Sequence, residues 1–331
     1  MRAAVRNRYG PPEVVRVVEV EKPAVRDRDV LVRVRATTVN RTDCGLRAAK
    51  PWIYRLFLGL RRPRRTVLGT EFAGEIEAVG GGVATFGVGD RVFGFSGTTF
   101  GAHAEYLVMP EEGSMMAAIP EGLTFEEAAP GSEGSHYALS SIRAAKVRRG
   151  QDVLVYGATG AIGSAAVQLL KQLGATVTAV CATDQLDLVR GLGADRVIDY
   201  TAEDFTKDTQ TYDVVLDAVG KSSFGRCRRL LRPRGTYLSS DLGPLSQNPV
   251  LALVTPLLGR RRVRFPIPTQ RDPAAVMRHL RDLLESGAFT PLIDRRYPLD
   301  QIVEAYRYVE AGQKLGNVVI TVIPRPPGGS P

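Results

Sequence analysis

Apolar and polar positions alternate one by one through the first third of the chain. Residues 14–20 (VVRVVEV), 30–39 (VLVRVRATTV) and 72–80 (FAGEIEAVG) each read as a strand, separated by Gly, Pro and Asp turns. Gly87, Gly89 and Asp90 make a turn before the strand-like RVFGF at 91–95. That spacing predicts a small barrel or sandwich. The texture changes near residue 120. EGLTFEEAAP leads into an amphipathic stretch that includes residues 138–147, and Thr124 stands at capping-box distance from Glu127. Residues 152–183 (DVLVYGATGAIGSAAVQLLKQLGATVTAVCAT) then run as buried strand, glycine turn, Ala/Leu-rich helix, glycine stop and second buried strand. This is a βαβ unit, which requires a parallel sheet and a right-handed crossover. The alternation continues as helix 184–192, strand 195–199, strand 213–219, helix 222–231 and strand 235–239, the order of a doubly wound α/β domain. Beyond it the pattern predicts strand 263–267, helices 273–286 and 300–311, and strand 317–323. The tail 324–331 (PRPPGGSP) is expected to be disordered.

Composition narrows this picture. A chain of 331 residues exceeds what one core holds, so about two domains are expected. No apolar run approaches the roughly 18 residues of a membrane span. The N-terminus enters strand-like alternation without a secretory core, so the cytoplasm is the expected compartment. Cys44, Cys181 and Cys227 lie far apart, as do His103, His136 and His279. Neither set has the spacing of a disulfide framework or a cysteine zinc site. The net charge of +9 includes arginine clusters at 61–65 and 260–264. Such a surface attracts nucleic acid, membranes or a phosphorylated cofactor. No nucleic-acid module accompanies the charge, and solvated loops account for it as well.

The strongest chemical signal is Gly157-Ala158-Thr159-Gly160-Ala161-Ile162-Gly163 between strand and helix. A dinucleotide diphosphate needs backbone N–H donors and the positive end of a helix, reached without side chains in the way. The first glycine serves the tight turn, the second the phosphate approach, the third helix–strand packing. The spacing is GxxGxxG rather than GxGxxG, and either is weak alone; VLVY before it and SAAVQLLKQLG after it supply the right context. An NAD-specific site places an acid at the end of the second strand to bond the ribose 2′-hydroxyl. Here that end reads Cys181, Ala182, Thr183. The gap leaves room for a 2′-phosphate with Thr183 as hydroxyl donor, although Asp184 follows directly. NADP(H) is the expected coenzyme and NAD(H) the alternative.

Taken with YGPPEV, VNRTD, LGTEFAGEIEAVG, GVGDRVFGF, AHAEYL, LGADRVIDY, YDVVLDAVG, PLIDRRYPLDQIVEAYRYVEAG and GNVVI, the glycine segment resembles the medium-chain dehydrogenase/reductase superfamily in its zinc-independent quinone oxidoreductase branch. The resemblance implies a chaperonin-10-like β-barrel domain (1–122), a Rossmann dinucleotide-binding domain (123–262), a C-terminal segment completing the first (263–323), and substrate in the interdomain cleft. In the zinc-dependent branch, Cys, His and Cys ligands stand at the positions of Asn40, Thr70 and Ser132, and a four-cysteine loop stands near 91–105. None of these is present, and hydroxyls and amides are poor tetrahedral zinc ligands, so no zinc is expected. The resemblance places Asn40 near the nicotinamide and substrate oxygen, with Thr42 and Asp43 lining the cleft. It places Tyr200 by the 2′-phosphate and Gly220 by the cofactor ribose.

Other side chains also carry reactive groups. Ser132, Glu133, Ser135, His136 and Tyr137 crowd one segment, but no G-x-S-x-G elbow supports a hydrolase. Trp52, Tyr54, Leu56 and Phe57 offer either a substrate wall or loop packing, with Tyr54 a candidate proton donor. The expected activity is hydride transfer from NAD(P)H to an enone, enal or quinone, with Asn40 or a cofactor hydroxyl stabilising the enolate. The alternatives are a metal-free carbonyl reductase or alcohol dehydrogenase, and a non-catalytic NADPH-binding protein. A homodimer is expected by resemblance.

Overall fold

The computed structural model describes residues 1–266 and 272–322. The tail and the last residue of the strand expected at 263–267 lie outside the described residues. In chain order the strands are β1 (Arg2–Val5), β2 (Arg16–Glu19), β3 (Asp29–Val39), β4 (Glu71–Val79), β5 (Arg91–Phe95), β6 (Tyr106–Pro110) and β7 (Met115–Ala118), followed by β8 (Asp152–Tyr156), β9 (Thr176–Cys181) and β10 (Arg196–Asp199). Then come β11 (Tyr212–Asp217), β12 (Leu231–Ser239), β13 (Arg262–Arg264), β14 (Ile293–Pro298) and β15 (Asn317–Thr321). The contacts divide them between two compact units. One holds residues 1–133, 272–285 and 293–322, and the other 134–266 and 286–292.

The first unit is built on β3, whose eleven residues carry almost unbroken burial. It pairs antiparallel with β4, β6 and β15, and the sheet runs β14-β15-β3-β4-β5-β7 with β6 beside β3. The C-terminal strand therefore closes a sheet begun by the N-terminal residues, as the resemblance implies. Its core joins Val32, Phe72, Ile76, Val92, Leu107 and Val318. Helix Ile302–Glu310 covers this core with Ile302, Ala305, Tyr306 and Val309, spaced as one helical face.

The second unit is a six-stranded parallel sheet in the order β10-β9-β8-β11-β12-β13. From β8 the chain proceeds first to one side, through β9 and β10, and then to the other. Such a reversal opens a crevice at the carboxyl ends of the strands, where α/β sheets take their ligands. The expected helix 222–231 is shorter than its pattern suggests: Phe224–Cys227 plus a 3-10 turn Arg228–Leu230. The chain is already extended at Leu231, because β12 starts early and passes a register shift against β11 before Thr236. Helix Gln247–Leu258 went unread, since NPVLALVTPLL is apolar on every side and carries prolines. No helix among the described residues is long and apolar enough to cross a membrane.

The capping box forms as its spacing predicted. Thr124 Oγ1 accepts from the Glu127 amide at 3.2 Å, and the Thr124 amide donates to the Glu127 carboxylate at 2.8 Å. Thr124→Ala is expected to lower the stability of this unit by about 1 kcal/mol in urea unfolding, and Thr124→Ser to retain it.

Candidate functional site

The glycine turn sits at the carboxyl end of β8. Gly157 has φ +81°, a left-handed conformation that a side chain would strain. A Cβ on Gly163 would stand 2.0 Å from the Gly157 carbonyl oxygen, so this position admits no side chain. A Cβ on Gly160 meets nothing nearer than 3.6 Å, which leaves the approach to the turn open. Gly160 caps helix Ala161–Gln172, whose first amides have no partner within the helix. Ala158 is buried and Thr159 donates to Gln185 Oε1 at 3.0 Å. Open backbone, free helix amides and the positive helix end fit a diphosphate.

The remaining coenzyme candidates lie in the same unit. Tyr200 is half exposed, follows β10 directly, and stands edge-on to Tyr156 at 6.4 Å. Thr183 Oγ1 donates to Asp199 Oδ2 at 2.5 Å and lies 2.7 Å from Thr201 Oγ1, so its hydroxyl is already engaged by protein. Gly220 has φ +68°, and a Cβ there would meet Asp241 Cβ at 2.4 Å. Asp217 accepts from the amides of Val219, Gly220 and Ser222 and from Tyr237 Oη, an ordering role for the loop after β11.

In the first unit, the positions without zinc ligands form a buried polar cluster around Glu71. Its carboxylate accepts from Thr38 Oγ1 (2.7 Å), Asn40 Nδ2 (2.9 Å), Ser132 Oγ (3.0 Å), and the amides of Ser132 (3.2 Å) and Glu133 (2.5 Å). Asn40 precedes helix Arg41–Ala48, and its backbone N–H donates to Asp43 Oδ2 at 2.8 Å. Its Nδ2 also reaches Thr38 Oγ1 at 3.3 Å, while Oδ1 is buried and turns toward the Asp43 amide. Thr70 Oγ1 lies 3.3 Å from Asp43 Oδ1 and 3.1 Å from Glu133 Oε2. The single Thr70 hydroxyl hydrogen is shared between these two carboxyl oxygens.

Burial, then the charge of Glu133, pushes the Asp43 carboxyl well above its usual range. The same two causes raise Glu71 to about 7, against its hydrogen bonds. Burial raises Glu133 despite bonds from Thr42 and Thr70. Burial draws the Lys314 ammonium down to about 8, opposed by Glu133, Cys44 and Glu71. All three carboxyls are thus held above their ordinary ranges, with burial the first cause of each. Thr70 and Ser132 hydroxyls and the Asn40 amide are bound to carboxylates, and the set contains no thiolate or imidazole. It does not fit a tetrahedral zinc.

Asn40 and Thr42 therefore meet in one cluster. Tyr54 lies on helix Tyr54–Leu58 with its ring edge facing Gly45 of helix Arg41–Ala48, and is flanked by exposed Trp52, Ile53, Leu56 and Phe57. The roles of Glu71 and Lys314 went unread, although Glu71 beside Thr70 in LGTEFAG was a signal within reach. His103 is buried, with Nε2 2.7 Å from the Thr38 carbonyl, and burial lowers it to about 4. It is neutral. The buried thiols of Cys44, Cys181 and Cys227 are pushed up to about 12, 11 and 11, chiefly by burial.

A family model described as the alcohol dehydrogenase GroES-like domain matches residues 26–121, and one described as zinc-binding dehydrogenase matches residues 192–320. The 2-methylene-furan-3-one reductase of Solanum lycopersicum is 31% identical over 96% of this chain and 78% of its own length. The chloroplastic NADPH-dependent alkenal/one oxidoreductase of Arabidopsis thaliana is 29% identical over 98% and 80%. A quinone oxidoreductase of Pseudomonas aeruginosa is 30% identical over 94% and 97%. Among solved structures, the quinone oxidoreductase from Coxiella burnetii superposes with a TM-score of 0.86 at 26% identity, covering 98% of this chain and 99% of that one.

A carboxyl whose value is raised on folding holds its proton longer in the folded state. Its contribution to stability is present at low pH and is lost as pH rises through the folded value. Unfolding free energy is thus expected to fall between pH 4.5, the ordinary glutamate value, and about 7 for Glu71. Urea titrations across this range check the slope, which Glu133→Gln should make shallower.

Proposed function

The chain belongs to the medium-chain dehydrogenase/reductase superfamily, and we propose that it is a zinc-independent, NAD(P)H-dependent reductase of conjugated carbonyl compounds. The glycine turn at the sheet's reversal carries this reading, because its open backbone is built for a diphosphate. The acceptor class rests on relatives named for alkenal/one, furanone and quinone substrates. NADP(H) is the first choice of coenzyme on the same ground, with NAD(H) second.

When bound, the reduced nicotinamide supplies a hydride to the electrophilic carbon of an enone, enal or quinone. The chain's own task is placement. Gly157, Gly160 and Gly163 keep the turn clear, and the amides of Ala161 and Ile162 with the helix end hold the diphosphate. Both Asn40 amide hydrogens are engaged by Glu71 and Thr38, so its part differs from that of an enolate donor. Its buried Oδ1 turns toward the Asp43 amide in a capping box, so Asn40 orders the cluster. Thr42, through its bond to Glu133, keeps the cluster around Asn40 in place. Tyr54 or water would give one proton to the anion that hydride addition leaves on the substrate. Thr183, Tyr200 and Gly220 line the adenosine side.

We also propose a homodimer. Val250, Leu253 and Leu257 are 59%, 76% and 84% exposed on a helix that packs beside the open edge of β13, and a second copy would cover them.

The purified protein is expected to oxidise NADPH or NADH with enones, enals or quinones, followed by loss of reduced-coenzyme absorbance. Asn40→Ala should lower kcat/KM by about tenfold, the value of one lost hydrogen bond. Turnover of simple ketones but not conjugated acceptors would overturn the assignment. Sedimentation equilibrium is expected to give twice the chain mass, and Leu253→Glu with Leu257→Glu to give a monomer.

A further inference from the structure

The strand after the glycine helix reads the ribose 2′ position in a dinucleotide site: an acid bonds the hydroxyl of NAD(H), and a basic residue holds the phosphate of NADP(H). In this chain β9 ends without either, at Cys181, Ala182 and Thr183. The neighbouring strand changes the picture. Asp199 ends β10 in register with Cys181. Its carboxylate accepts from Thr183 Oγ1 at 2.5 Å, from Thr201 Oγ1 at 2.6 Å and from the Thr201 amide at 2.8 Å. These donors, Thr183 first, hold it below the usual aspartate range, so it is ionised at neutral pH. The acid that the second strand lacks is thus supplied by the third.

Its surroundings add to the negative charge. Asp184 follows Thr183, and the next residue, Gln185, is tied to the glycine turn through Thr159 at 3.0 Å. Among the described residues, no lysine or arginine forms an ion pair with Asp184 or Asp199, and Arg190 on the following helix pairs with Asp187. The Thr183 hydroxyl, the group best placed to donate to a 2′-phosphate, already donates to Asp199.

We infer that Asp199 is a specificity-determining residue that acts against a 2′-phosphate, leaving this chain with NADPH and NADH affinities within about tenfold of each other. The inference rests on the proposed coenzyme site and names what decides between its two occupants. A carboxylate serves a 2′-hydroxyl as acceptor and repels a 2′-phosphate, and a like charge at about 4 Å in fully water-like surroundings, where Asp199 lies, is worth roughly fivefold.

Calorimetric titration of NADPH and of NADH into the full chain tests this, with wild type, Asp199→Asn and Asp184→Lys compared. The wild-type dissociation constants should agree within about tenfold. Either substitution should shift their ratio toward NADPH by roughly fivefold, with the shift shrinking as salt is added. Asp184 is exposed, so its variant decides the matter if Asp199→Asn fails to fold. A wild-type preference for NADPH beyond about a hundredfold overturns the inference, as does a pair of variants that moves both coenzymes equally. Binding of neither coenzyme defeats the reductase reading itself, an outcome distinct from binding of both with an unmoved ratio.

Discussion

Backbone can hold a diphosphate only where two chain segments come close enough to aim several amides at one point. In this protein that closeness is set at Gly163, where a methyl group would stand 2.0 Å from the Gly157 carbonyl oxygen. The helix that begins at Ala161 must start almost in contact with the turn that leaves β8, and glycine is what permits it. The parallel order of the six strands follows from this βαβ start, as does the crevice at their carboxyl ends. Two bonds then tie the segment after β9 to its neighbours, Gln185 to Thr159 of the turn and Thr183 to Asp199 of β10.

The other unit solves a different problem. Three carboxyls, Asp43, Glu71 and Glu133, are buried together around positions where related enzymes carry metal ligands. Burying that much charge is unfavourable unless donors or protons compensate it. Glu71 is compensated by five donors from two separate segments, which draws the end of β3 and the start of the helix at Glu133 onto β4. Asp43 and Glu133 share the Thr70 hydroxyl as donor, and the Lys314 charge favours the Glu133 carboxylate. The Asn40 amide and the Thr70 and Ser132 hydroxyls are hydrogen-bond donors of this network.

Much of this was legible along the chain. The alternation at 30–39 and 72–80, the capping box at Thr124 and the βαβ unit around the glycines are local patterns, and the structure carries each at nearly its expected bounds. Helix 222–231 and helix Gln247–Leu258 were read poorly, because in both the periodicity is weak and tertiary pairing decides the conformation. The loss of zinc ligands could be seen from residue types alone. The carboxyl cluster could not, since Asp43, Glu71 and Glu133 are far apart in sequence and only the fold brings them together.

What the sequence determined by itself was the class of fold, the glycine turn and the absence of thiolate and imidazole at three positions, since these depend on residue type and local period. Only the tertiary structure decided which atoms remain open for a ligand. Asn40 became an ordering residue because Glu71 and Thr38 took its hydrogens. Thr183 lost its hydroxyl to Asp199 because β9 and β10 lie side by side in register. Hydrogen bonds are claimed by whichever partner folding brings nearest, and that order is not written in the spacing of residues.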